Sequence, residues 1–373
     1  MKAGWQTKTI GELCEVVNGG TPKTDVKEFW DGVNLWITPA EMGKLTSPYV
    51  CKTARQITDK GIGNSSAKLM PLMSIILSSR APIGHLVINI EPMAFNQGCK
   101  GLIPNKSLHY KYLYYYLFSK VDLLNSLGTG TTFKELSGGK LKEVMIPLAP
   151  LSEQQCIVTI LEEALEDIAT ATSNAKKNFA NARELFDSYL QFIFTSKGQG
   201  WVNKALGNVI KLEYGKPLDQ ADRVSNGLYP VYGANGEKCR TSKFYYDKKS
   251  IIVGRKGSAG EINLSEEKFW PLDVTYFVTY DNEQNDLMFL YYLLGSLKLP
   301  LLAKGVKPGI NRNEVYALTA HFPDLVTQKT TVAKLDQLST ETKRLEAIYQ
   351  QKLMVLEELK KSILNQAFSG QLN

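Results

Sequence analysis

A chain of 373 residues, 43% hydrophobic and 22% charged, has an ordinary soluble composition, can bury sizeable cores and suggests two or three domains. Its formal net charge is +7, with 17 Lys/Arg against 11 Asp/Glu in residues 1–151, an excess that favours a polyanionic partner without proving one. Five scattered cysteines without paired spacing, Cys14, Cys51, Cys99, Cys156 and Cys239, argue against a zinc or disulfide framework; with no signal-like N-terminus and no run near the ~20 apolar residues of a membrane span, the expected location is the cytoplasm.

Residues 1–151 alternate short apolar runs with turn residues. Strands are predicted at Leu35 to Thr38, Ser74 to Ser79, His85 to Ile90 and Lys100 to Pro104, and an aromatic-rich helix at Tyr110 to Phe118. A Gly/Thr loop, LGTGTTFKELSGGKL, follows the helix. This pattern fits a β-rich α+β domain better than alternating βαβ units.

Residues 152–197 contain no Gly or Pro. A 3-4 register runs through Leu161, Leu165, Ile168, Thr172, Ala175, Phe179, Ala182, Phe186, Tyr189 and Ile193, the seam of one long helix with a partner. Residues 198–325 then repeat the first domain at an offset of about 176. SIILSSRAPIG (from Ser74) returns as SIIVGRKGSAG (from Ser250), YLYYYL as FLYYLL, and the loop from Gly128 as KGVKPGINR from Lys304. Residues 326–373 form the second helix, with a seam at Val332, Leu335, Leu338, Leu345, Ile348, Leu356, Leu359 and Ile363. At ~1.5 Å per residue each helix would be roughly 65 Å long. The expected architecture is two domains separated by an antiparallel helical pair, with a pseudo-two-fold internal repeat.

The approach to the first helix, Pro-Leu-Ala-Pro-Leu-Ser-Glu-Gln (Pro147 to Gln154), is the most specific motif. Its prolines favour extended backbone, Ser152 suits the N-cap and Glu153 the first turn. Together with the opening from Trp5 to Glu12, WITP, SSRAPIG, FNQG (Phe95 to Gly98), the FKELS loop and the echo of this order in the second half, it resembles the specificity subunit of type I restriction-modification systems. The second half departs from the motif with VTQKTT from Val326, which leaves the start of the second helix open. The resemblance implies a non-catalytic reader of double-stranded DNA: two target recognition domains, each reading one half of a split asymmetric target, on a coiled-coil spacer. It implies two methyltransferase subunits docked around the helices and bringing S-adenosylmethionine, with restriction/translocase subunits bringing ATP and Mg chemistry. No cofactor or metal is expected on this chain.

The lack of catalytic motifs in the sequence agrees. There is no GxxxxGK[ST] phosphate loop and no Asn/Asp-Pro-Pro-aromatic tetrapeptide for amino-methyl transfer. A nuclease-like match forced from Pro323, Asp324, Glu358 and Lys360 reads as chance, because its last two members fall deep in the second helix. A self-contained restriction endonuclease and a scaffold joining two protein-binding domains are the alternatives.

Candidate DNA contacts lie where basic, amide and hydroxyl groups meet glycines, which let backbone amides approach phosphates. They are Ser78, Ser79 and Arg80; Arg255 and Lys256; Thr131, Thr132 and Lys134; and Lys304, Lys307, Asn311 and Arg312. Asn96 and Gln97 suit either adenine or a buried turn, and Tyr232 and Asn235 either a groove contact or a structural turn. The tyrosines from Tyr110 to Tyr116 read as core rather than as a base-stacking platform.

Overall fold

Neither Gly nor Pro interrupts residues 151–195 or 325–369, and in the computed structural model both stretches are helical from end to end. The structure describes residues 2–130, 134–196 and 198–372. By internal packing the chain divides into Met1–Asn174 with Lys352–Asn373, and Ala175–Gln351. Each unit therefore holds one β-rich part and a segment of each long helix.

The first unit begins with β1 (Gln6–Thr9), α1 (Ile10–Leu13), β2 (Cys14–Asn18), β3 (Trp30–Ile37), α2 (Pro39–Met42), β4 (Tyr49–Val50), β5 (Arg55–Ile57) and α3 (Asp59–Gly63). It continues with β6 (Ile75–Ser79), β7 (Ile83–Asn89), β8 (Met93–Phe95), β9 (Cys99–Pro104), α4 (Tyr110–Ser119), α5 (Val121–Leu127), α6 (Gly138–Lys142) and β10 (Met145–Leu148), and leads into α7 (Leu151–Thr195). The second unit has β11 (Val202–Ala205), β12 (Ile210–Tyr214), β13 (Tyr229–Gly233), β14 (Gly236–Thr241), β15 (Ser250–Gly254), β16 (Ile262–Ser265), β17 (Trp270–Pro271) and β18 (Thr275–Tyr280). Then come α8 (Leu287–Ser296), α9 (Arg312–Ala317), β19 (Thr319–Phe322) and α10 (Leu325–Ser369). The four predicted strands fall in β3, β6, β7 and β9, and the aromatic helix is α4. Every residue of β6 is buried, its apolar start Ile75 to Leu77 as the sequence suggests and its closing serines as well.

The duplication seen in the sequence is present in the strand order. One unit has sheets β2-β9-β6-β7-β4, β5-β3-β8 and β1-β10; the other has β12-β18-β15-β16, β14-β13-β17 and β11-β19. Even the unusual parallel pair recurs, Trp36 beside Ala94 in β3·β8 and Val231 beside Trp270 in β13·β17. The architecture is α+β, with β-rich domains and two long helices.

In the first unit the opening turns of α7 (Ile157, Val158, Leu161) share a core with the closing turns of α10 (Leu364, Ala367, Phe368). In the second, Leu190 and Phe194 of α7 join Val332 and Leu335 of α10. That pairing of starts with ends is the antiparallel order. The α7 seam is buried or half-buried as its register requires, whereas the α10 seam needs correction: Ile348 and Leu359 are 45% and 44% exposed. Thr342, Tyr349 and Leu353 take the inward positions, because the register drifts in the polar middle of this helix. Tyr112 and Tyr116 pack edge-on to Phe368, and their hydroxyls donate to the carbonyls of Pro147 and Met145, so the α4 tyrosines are core.

Helix α7 starts one residue earlier than expected, at Leu151, so Ser152 lies inside the first turn and does not cap it. Glu153 accepts from Lys2 Nζ (2.7 Å) and Trp5 Nε1 (3.1 Å), and the Lys2 ammonium above all holds its carboxyl below the usual range. At the start of α10 Asp324 caps, its carboxylate accepting from the Thr327 N–H at 2.8 Å. The same helix stops at Gly370, whose φ of +77° continues into a Gln371 N–H to Gln366 carbonyl bond, a left-handed C-terminal cap.

The departure at VTQKTT preserves one essential feature. Buried Gln154 accepts from the His109 N–H and donates to the carbonyls of Ser107 and Ala149; buried Gln328 accepts from the Asp286 N–H and donates to those of Gln284 and Pro323. One amide thus ties each helix start to the segment before α4 or α8. Replacing either glutamine with Ala strands one buried donor and two buried acceptors. Gln154→Ala or Gln328→Ala should each destabilise its unit by about 2–4 kcal/mol, read as a lowered urea midpoint of the purified chain.

Candidate nucleic-acid interface

Strand β15 ends at Gly254, where there is no room for a side chain: a Cβ would lie 2.1 Å from the Ser258 carbonyl and 2.7 Å from that of Ala234. This close approach sets the turn carrying Asn235 against the loop from Arg255. The loop is held by backbone hydrogen bonds. Arg255 and Lys256 donate to the Val274 carbonyl (2.8 and 3.2 Å), Gly257 donates to Pro308 (2.9 Å) and Ile310 donates to Arg255 (3.1 Å). Lys304 and Gly309 exchange both their bonds, so the segments 254–260 and 304–312 lie side by side.

The first unit builds the same arrangement. Leu136 donates to the Ser79 carbonyl (2.9 Å), Ser79 to Gly98 (2.8 Å), and Thr129 and Glu135 pair with each other. Bridges Arg80–Glu135 and Lys256–Gly309 occupy matching places, as do Ala81 (φ +46°) and Gly257 (φ +81°). A cleft of about 490 Å³ opens here, lined by Thr38, Pro39, Ala40, Arg80, Asn96 and Gln97 among others.

Two stretches of the chain, residues 2–178 and 198–354, match the family model of the type I restriction modification DNA specificity domain. The chain belongs to this family. It carries the specificity domain twice. A curated relative, the type I restriction enzyme MjaIX specificity subunit of Methanocaldococcus jannaschii, is 29% identical over 326 residues, covering 78% of this chain and 76% of the relative. Two solved structures share the fold. One is a chain from work on complex assembly and conformational transition of the type I restriction-modification system (TM-score 0.82, 18% identity, 100% of this chain and 99% of that one). The other is the HsdS subunit from Thermoanaerobacter tengcongensis (TM-score 0.68, 17% identity, 100% and 98%).

Within the specificity domains the predicted residues separate by what their side chains are free to do. Lys134, Gln97, Asn235, Lys256 and Lys307 are exposed, and Arg80 faces out about 4.0 Å from Glu135. Lys304 is exposed but lies 2.6 Å from Glu314, so part of its charge is answered within the protein. Asn311 is occupied as the cap of α9, accepting from the Asn313 N–H. Asn96 spends its amide on Thr21 and Gly98, and Thr21 donates to Gln97. Tyr232 is half-buried with its hydroxyl 3.4 Å from the Leu264 carbonyl.

Ser78 and Ser79 are corrected from surface to interior, since both are fully buried. The Ser78 hydroxyl holds the turn by donating to the Pro82 carbonyl and accepting from the His85 N–H, and the Ser79 hydroxyl has no partner among the described residues. Thr131 and Thr132 lie outside the described residues.

Three residues escaped the sequence reading. Glu135 stands between Arg80 and the buried Lys100, whose ammonium is 3.9 Å away. Tyr214, 44% exposed at the end of β12, has the guanidiniums of Arg255 and Arg312 over its ring at 5.2 and 5.1 Å. A signal for Tyr214 was present in the repeat. Asn18-Gly19 and Tyr214-Gly215 end equivalent strands, and both glycines are forced by a carbonyl that a Cβ would meet at 2.0 or 2.1 Å.

Proposed function

We propose that this chain is the DNA-reading specificity subunit of a type I restriction-modification complex, with each domain reading one part of a split, asymmetric target. The observation that carries this reading is the loop scaffold built twice from the same backbone hydrogen bonds while the side chains projecting from it differ. Double-stranded DNA suits such a pair, because backbone amides and cations take phosphates while a few variable side chains read base edges. The name of the MjaIX relative, a type I restriction enzyme specificity subunit, supports the same reading.

In this reading two methyltransferase subunits dock on the helices and supply S-adenosylmethionine, restriction/translocase subunits supply ATP- and Mg-dependent cleavage, and the chain itself is non-catalytic and cytoplasmic. No helix among the described residues is long and apolar enough to cross a membrane. The endonuclease alternative gains nothing from Asp324, whose carboxylate is spent on the cap of α10 and held below its usual range chiefly by the Thr327 N–H.

Exchanging residues 1–151 for another specificity domain should change one half of the methylated motif, mapped in DNA from cells carrying the complex, and leave the other half unchanged. Simultaneous change of both halves contradicts the reading. Charge gives an independent test in direct binding. Neutralising Lys256, Lys307 and Arg312 together should weaken DNA binding and reduce its log-log salt slope by up to about one unit per lost phosphate contact, measured by titration at several salt concentrations.

A further inference from the structure

The repeat lets the two domains be compared position by position at the candidate interface. Asn18 pairs with Lys100 at the end of β2, and Tyr214 with Tyr276 at the end of β12. The Ser79 carbonyl takes the Leu136 N–H, and the Arg255 carbonyl takes that of Ile310. Gly138 follows the Ser137 cap as the first residue of α6, and Arg312 follows the Asn311 cap as the first of α9. The same three backbone sites thus hold Asn18, Ser79 and Gly138 in one domain and Tyr214, Arg255 and Arg312 in the other.

The second set is organised around the tyrosine. Both guanidiniums lie over its ring, close enough for cation–π attraction, and Tyr276 packs beside it with ring centroids 5.1 Å apart. The Tyr276 hydroxyl lies 3.4 Å from the Ile310 carbonyl. Burial first, and then a hydrogen bond with Tyr214, pushes the Tyr276 phenol above its ordinary range. Arg255 is half-buried and its Nε is buried without a hydrogen-bond partner among the described residues, so its terminal nitrogens are the donors left for a ligand.

We propose that Tyr214 is a positioning residue of the second specificity domain, holding Arg255 and Arg312 as a paired guanidinium fork for adjacent acceptor oxygens or nitrogens on DNA. A guanine edge (O6 and N7) and a phosphate both present such acceptors, and planar guanidinium matches either bidentately. The first domain, with Asn18, Ser79 and Gly138 at these sites, lacks the fork. This inference rests on the DNA-reading function proposed above.

The test uses the full chain assembled with its methylating partners, comparing Tyr214→Leu and Tyr214→Phe by motif mapping and by DNA titration. Tyr214→Leu keeps apolar bulk but removes the aromatic face; Tyr214→Phe retains it. The leucine variant should lose on the order of tenfold or more in discrimination or affinity at the second half-site. The phenylalanine variant should restore most of this, and the first half-site should read as before. Relaxation at one base position identifies a guanine edge. An unchanged motif with weaker binding and a salt slope shallower by about one identifies a phosphate. If Tyr214→Leu does not fold, Arg312→Met, at a surface helix start, should produce the same second-half defect. Leucine or methionine variants indistinguishable from the natural chain overturn the proposal. Failure of the unaltered complex to bind DNA overturns the functional reading beneath it as well.

Discussion

The paired loops of each domain depend on a backbone hydrogen bond that appears twice, Leu136 to the Ser79 carbonyl and Ile310 to the Arg255 carbonyl. It fastens the loop leaving one strand to the loop approaching a short helix. A bond between main-chain groups is indifferent to the side chains on the same residues. Ser79 and Arg255 can therefore occupy one structural position while pointing wholly different chemistry at it. The glycines beside these bonds serve the same end, since Gly19, Gly215 and Gly254 sit where a neighbouring carbonyl leaves no space for a Cβ. A rigid backbone with free side chains is what a reader of variable sequence needs.

The joint between domain and helix uses a similar economy. Gln154 and Gln328 each satisfy one donor and two acceptors that would otherwise be buried unpaired, although the residues immediately beside them differ, Glu153 and Gln155 against Thr327 and Lys329. The amide is the only side chain of that length that both donates twice and accepts, so neither glutamate nor lysine replaces it. Around the first joint the Glu153 contacts with Lys2 and Trp5 add orientation, though exposed ion pairs of this kind contribute little stability.

Electrostatics refine the simple count of charge. The basic excess of the first domain includes Lys100, buried and facing Glu135, and Arg80, facing the same carboxylate. In the second domain Lys304 is similarly answered by Glu314. On the paired loops of the second domain Lys256 and Lys307 are exposed, and the half-buried Arg255 and Arg312 lie over Tyr214. Four cations on one pair of loops suit a polyanionic partner more specifically than net charge does.

The sequence by itself determined the long helices, since a heptad register without Gly or Pro permits little else, and the duplication, since SIILSSRAPIG and SIIVGRKGSAG occupy buried strands whose apolar runs tolerate few alternatives. It also singled out, through their glycines and cations, the loops that the fold brings side by side. Tertiary structure decided which of their side chains are available. Ser78 and Ser79 read as hydroxyls on a polar turn, yet the strand carries them inward; Ser152 read as a cap, yet the helix begins before it. The inward face of α10 also shifted, leaving Ile348 and Leu359 exposed where the polar middle of the helix weakens the register. Tyr214 gained its role only when β12, β15 and α9 were brought together, because a ring becomes a platform through neighbours more than forty residues distant in the chain, which no local pattern encodes.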